Sequence, residues 1–210
     1  MSVRVTFWLG APDGVKGHLL AGPLAEFLQF LSDMERKDPR LNIPGLQLLV
    51  ERVIRLGEAA LSVDTTEQAA LVDALVEIYY NWFCGGEGIR ATLLIPANDS
   101  MIGAKAFHDH RQLVDQVFGT KASRYWSYLL DGRGIGRHGV EYPYRPTVDE
   151  SVRVGFWTAD ECQDFLTTML AYSARNQGFF LDPEQWDIEA TRQALQKGVQ
   201  ERTGIILIVA

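Results

Sequence analysis

The sequence predicts a helix-rich α+β fold with a small sheet, in one domain spanning residues 1–210. Three observations carry that prediction. Apolar residues recur at a helical period through several windows. Short β-branched and aromatic runs stand at the N-terminal end, near residue 90 and at the C-terminal end. No stretch between them has the composition of an interdomain linker.

The elements follow in order. Val3 to Leu9, "VRVTFWL", reads as a strand that stops at Gly10. Gly22-Pro23 opens a helix with apolar positions at Leu24, Phe27, Leu28 and Leu31, because proline's missing N–H costs nothing in a first turn. A loop with two prolines, "KDPRLNIPG", leads to a second helix from Leu46, with Leu49, Val50, Val53, Ile54, Ala60 and Leu61 on its apolar face. A third helix follows Asp64, which stands three residues before Glu67 as a carboxylate form of the capping box. Its face is Leu71, Ala74, Leu75, Ile78, Tyr79 and Trp82, and Gly85-Gly86 ends it.

Ile89 to Ile95 reads as a second strand closed by Pro96, and two short helices are expected at about 109–118 and 122–131. After a loop over 132–148, "SVRVGFW" reads as a short strand. Thr158 and Glu161 then form a capping box, with Trp157 and Cys162 placed as a hydrophobic staple. That helix is expected to bury Cys162, Phe165, Leu166, Met169 and Leu170 and to end near Gly178. Asp182-Pro183 starts the last helix and Gly204 stops it. "IILIVA" is nearly all apolar, as a strand covered on both faces must be.

The charge balance is −7 and uneven. Residues 101–145 hold seven Lys and Arg against four Asp and Glu, and acidic residues outnumber basic ones on both sides. An acidic body argues against a nucleic-acid coat, since polyanions repel it. No window approaches the roughly 18 apolar residues of a membrane span. The two cysteines, Cys84 and Cys162, form neither a disulfide framework nor a zinc spacing. With no export signal, a reduced cytosolic protein is expected.

Gly134-Ile135-Gly136-Arg137-His138-Gly139 spells the dinucleotide fingerprint G-x-G-x-x-G. That motif works only between a strand and a helix, where backbone N–H groups meet a pyrophosphate. Here helical sequence precedes it. Pro143 and Pro146 follow it and bias the preceding residues toward extended geometry. A glycine loop after a helix is therefore expected, with no nucleotide cofactor. The segment remains the candidate binding surface: Arg133, Arg137, His138 and Arg145 supply charge, and Tyr142 and Tyr144 supply flat contact area.

His108-Asp109-His110 could share a metal only in an extended segment, because on a helix the two imidazoles diverge by about 200°. A zinc site needs a third protein ligand. No metal is expected, and Asp109 reads as a helix cap. Cys84 falls at a helix C-terminus, where the dipole disfavours a thiolate, so it reads as structural. No catalytic residue is assigned.

"SRYWSYLLDGRG", "VGFWTADECQDFLTTML" and "QALQKGVQERTGIILIV", within residues 120–210, resemble the YfbM-like family of bacterial proteins of unknown function. The resemblance implies an α+β fold and no assigned chemistry. Two functions remain open. The first is a non-catalytic protein-binding module of a bacterial cytosol, immunity- or antitoxin-like. The second is a hydrolase of an anionic or phosphate-bearing small molecule, in which the histidines and the basic loop share a cleft.

Overall fold

A computed structural model describes residues 4–37, 42–84, 95–103, 109–136 and 153–209. The fold is α+β and rich in helix, and the chain divides into two compact units. The first comprises Met1–Ala11, Ile95–Arg133 and Ser151–Ala210. The second comprises Pro12–Leu94 and Gly134–Glu150.

The first unit carries a four-stranded antiparallel sheet of β1 (Arg4–Leu9), β2 (Ile95–Gly103), β3 (Arg153–Trp157) and β4 (Ile205–Val209), in the order β2-β1-β4-β3. Strand β4 is central, as its apolar run predicts. Phe7 pairs with Leu207 on one side and Gly155 with Leu207 on the other. Ile205, Ile206 and Leu207 are all buried. The helices of this unit are α5 (Arg111–Phe118), α6 (Thr120–Leu130), α7 (Ala159–Ser173) and α8 (Trp186–Gln200). They share one core with the strands, in which Phe7, Trp126, Trp157, Phe165, Met169, Ile188 and Leu195 are fully enclosed. The buried Trp157 indole donates to the Tyr125 carbonyl at 2.9 Å, so its one polar atom is satisfied.

Helix α7 starts where the capping box places it. The Thr158 hydroxyl accepts from the Glu161 amide at 3.2 Å, and the Glu161 carboxylate accepts from the Thr158 amide at 2.8 Å. At the other end of α8, the chain must turn tightly into β4. Gly10 N–H donates to the Gly204 carbonyl at 3.0 Å, and a Cβ at Gly204 would collide with the Trp157 carbonyl oxygen. Only glycine lets the three backbones meet there.

Several boundaries differ from the sequence reading. The middle strand does not close at Pro96. It runs from Ile95 to Gly103 with Pro96 paired to Trp8, and residues 89–94 lie outside the described residues. Because β2 is an edge strand, a proline without an N–H is tolerated, and register shifts mark the pairing there. Leu170 is half exposed instead of buried. Helix α7 ends at Ser173, ahead of Gly178. Asp182 caps a short 3-10 turn, Pro183–Gln185, that feeds α8.

Among its described residues the second unit is helical. It holds α1 (Pro12–Ala21), α2 (Leu24–Lys37), α3 (Leu46–Leu56) and α4 (Thr66–Ile78). Helix α1 carries Gly14 and Gly17, which hide its period from a sequence reading. Ala60 and Leu61 belong to a separate 3-10 turn, Gly57–Leu61, and Ile54 is exposed. The cap of α4 lies one residue on from Asp64. Thr65 accepts from Gln68 N–H, and the Gln68 amide oxygen takes both the Asp64 and Thr65 N–H groups. A five-residue π-helical turn, Tyr79–Phe83, continues α4 and leaves Trp82 exposed. It packs Tyr79 and Phe83 against Phe27 at ring separations of 5.1 and 5.3 Å.

Candidate functional sites

Of the binding residues expected from the sequence, only Arg133 lies among the described residues; Arg137, His138, Tyr142, Tyr144 and Arg145 lie outside them. Arg133 follows Gly132, whose φ of 72° takes the chain out of α6. Its amide donates to the Val154 carbonyl at 2.9 Å. Arg133 is 5% exposed, and its guanidinium lies over the Phe156 and Tyr128 rings, 4.2 and 4.6 Å from their centroids. Nη1 pairs with Glu161 Oε2 at 2.6 Å. The same carboxylate oxygen caps α7, so one buried cation holds a helix start, a strand and the end of α6 together. Its charge is directed inward.

In the second unit the first half of the glycine motif is enclosed. Gly134, Ile135 and Gly136 are buried. Gly136 N–H donates to the Asp73 carboxylate at 2.6 Å, and a Cβ there would collide with the Ala69 carbonyl oxygen. A dinucleotide turn needs free N–H groups ahead of a helix. Here that N–H already serves a carboxylate, whose charge would repel phosphate. The glycine serves close packing of loop on helix. The sequence contains both residues but gives no sign that Asp73 and Gly136 meet.

His108 lies outside the described residues, whereas His110 stands at the N-cap position of α5 without a side-chain cap hydrogen bond. Asp109 is exposed and does not occupy that position, which corrects the capping role expected of it. His110 Nδ1 lies 2.5 Å from Asp187 Oδ2. Asp187 is fully buried in the first turn of α8. Its Oδ1 and the Gln185 Oε1 are buried without a hydrogen-bond partner. When Nδ1 carries the proton for Asp187, Nε2 keeps its lone pair, which is the arrangement of a proton acceptor held by a carboxylate. The sequence reading missed this pair because 77 positions separate its members. Among the described residues no group of three metal-ligating side chains forms.

A groove lies on the second unit between α3 and α4. Leu48, Leu49, Arg52, Ala60, Leu71 and Val72 line it together with Gly45, Ser62 and Gln68, around a space of about 130 Å³. Leu48 is 61% exposed and Leu56, on the same helix, is 49% exposed. Arg52 is the only charged residue of the lining. Sequence reasoning treated α3 as a helix with one core-facing stripe and so left Leu48 unassigned.

Both thiols are free. Burial pushes the Cys162 thiol far above its ordinary value, with the neighbouring Glu161 charge adding to the effect. Burial also raises Cys84, against a hydrogen bond with Tyr79 that lowers it. Both shifts run opposite to the lowered value of a reactive thiolate.

No protein-family model, no curated protein and no solved structure matches this chain. Among the described residues no helix is long and apolar enough to cross a membrane.

Proposed function

We propose that this protein is a non-catalytic protein-binding module of the bacterial cytosol, acting by docking in the manner of an immunity protein or antitoxin. The observation that carries the reading is the α3–α4 groove, an apolar concavity lined by the exposed Leu48, with Leu56 also exposed further along the same helix. Apolar side chains around a pocket, with a polar edge, are what a protein interface needs at its centre. The basic, aromatic segment with Arg137, His138, Tyr142, Tyr144 and Arg145 is the second contact surface of the proposal. The resemblance of residues 120–210 to the YfbM-like family adds no chemistry that would favour an enzyme.

The test is reconstitution. A partner isolated on the wild type is purified and titrated back by calorimetry. Leu48→Glu with Leu56→Glu is expected to weaken it at least tenfold, and Arg137→Ala with Arg145→Ala several-fold. Unchanged affinity in both double variants would refute the reading.

The His110–Asp187 pair favours a second reading, a hydrolase of an anionic small molecule with His110 as proton acceptor. Under it, the purified protein hydrolyses p-nitrophenyl phosphate or p-nitrophenyl acetate, and His110→Gln abolishes the turnover. Equal rates for wild type and His110→Gln would remove it.

A further inference from the structure

We infer that the α3–α4 groove receives one leucine- or phenylalanine-sized side chain from a protein segment that carries a carboxylate close to it, and that Arg52 binds that carboxylate. The inference rests on the binding-module reading and specifies the partner's chemistry. Volume sets the first part. A space of about 130 Å³ is close to the roughly 150 Å³ of an apolar cavity that admits a benzene-sized ligand. Leu49, Ala60, Leu71 and Val72 offer that side chain an apolar lining, and Leu48 can close over it from the edge.

Charge sets the second part. Arg52 lines the groove and is exposed, and among the described residues it has no ion-pair partner. Arg55, one turn along α3, is likewise exposed and without an ion pair among those residues. The contrast with Arg133, which is consumed by Glu161, is direct. A guanidinium beside an apolar pocket selects a carboxylate by paired hydrogen bonds. The charge has to be local. A strongly acidic segment would be repelled by a body of net charge −7, so the partner needs one or two carboxylates placed beside its apolar anchor. Ser62 and the Gln68 amide nitrogen, which also belong to the lining, are polar groups that such a segment's backbone can meet.

A displayed library of random peptides about 12 residues long, enough for a short helix or strand to lie in a groove, supplies the probe. It is selected on the wild type and counter-selected on Leu48→Glu. The expected consensus has Leu or Phe with Asp or Glu within four positions. The selected peptide, synthesised, is expected to lose at least tenfold in affinity when its apolar anchor becomes serine or its acid becomes lysine. Arg52→Glu is expected to reverse the preference, so that the lysine peptide binds better than the acidic one. Circular dichroism checks that both protein variants melt as the wild type does. A basic consensus, or an Arg52→Glu protein that still prefers the acidic peptide, overturns the inference while leaving the binding module intact. Self-association of the wild type that Leu48→Glu abolishes, seen by sedimentation, also overturns it, because a second copy is then the occupant. If no peptide is enriched over Leu48→Glu the inference falls, and the binding-module reading then stands or falls on the reconstituted partner alone.

Discussion

The two units differ in where they put their arginines: both bury acidic side chains, Asp73 and Glu77 in the second and Asp187 in the first, but among the described residues only the first buries an arginine. The first unit draws Arg133 inward, where it pairs with Glu161 beside two aromatic rings, and it pairs the buried Asp187 with His110. The second unit leaves Arg52 and Arg55 outside, next to leucines that are also outside. A matched buried charge fixes geometry, because removing either partner strands the other without water. An exposed cation beside an exposed apolar groove contributes little to folding. It is available to something else. Arg133 uses its charge within the fold, whereas among the described residues Arg52 does not.

That contrast can be broken most severely at the sheet. Truncation after Gly204 removes the strand that both β1 and β3 pair with, and it is expected to abolish cooperative unfolding. A truncated protein with the wild-type melting temperature would refute the topology's role. Next in size is Glu161→Ala, expected to cost about 3 kcal/mol, the usual penalty for leaving a buried cation unpaired. Chemical denaturation measures it. A loss below about 1 kcal/mol would mean that Arg133 reaches water and is not a fixed part of the first unit.

Gly136→Ala is expected to cost about 2 kcal/mol, because the added methyl has only backbone to displace. A neutral result would show that the glycine loop does not sit on α4. Thr158→Ala and Thr65→Ala are each expected to cost about 1 kcal/mol, one capping box from each unit. Equal losses would show that caps, unlike charges, are used alike in both.

The smallest effect concerns acid. The Lys121 ammonium, 2.8 Å away, holds the Asp164 carboxyl below its ordinary value; partial burial opposes this, and a hydrogen bond from Tyr125 assists. A depressed carboxylate stabilises the folded state above its unfolded value, near pH 4, and that contribution is lost as pH falls through the folded one. Lys121→Ala should flatten the acid limb of the stability curve slightly. A steeper limb would reverse the assignment.

Much of the fold was legible in the sequence. The continuous apolar run at residues 205–209 announced an inner strand, and the Thr158–Glu161 spacing located a helix start to the residue. What was not legible arose where distance along the chain hid proximity. Arg133 looked like a loop cation because Glu161, Tyr128 and Phe156 do not advertise that they surround it. The His110–Asp187 pair and the Asp73–Gly136 contact were hidden for the same reason. Pro96 looked like a strand end because sequence does not say which strand will lie at an edge. The division into two units left no linker signature, because each unit is assembled from separated segments.

The position of β4 has a consequence in time. The ribosome makes β1, β2 and β3 before it makes residues 205–209. Until then β1 can pair with β2, but β3 lacks its strand partner, since among the described residues β4 is the strand it pairs with. From the completion of β3 at Trp157 until residues 205–209 are made, the nascent chain therefore carries unfinished strand edges on both β1 and β3, the condition under which chains associate with one another. The keystone arrives last, and a ribosome that stalls before it releases a molecule primed to aggregate rather than a shorter version of the same protein.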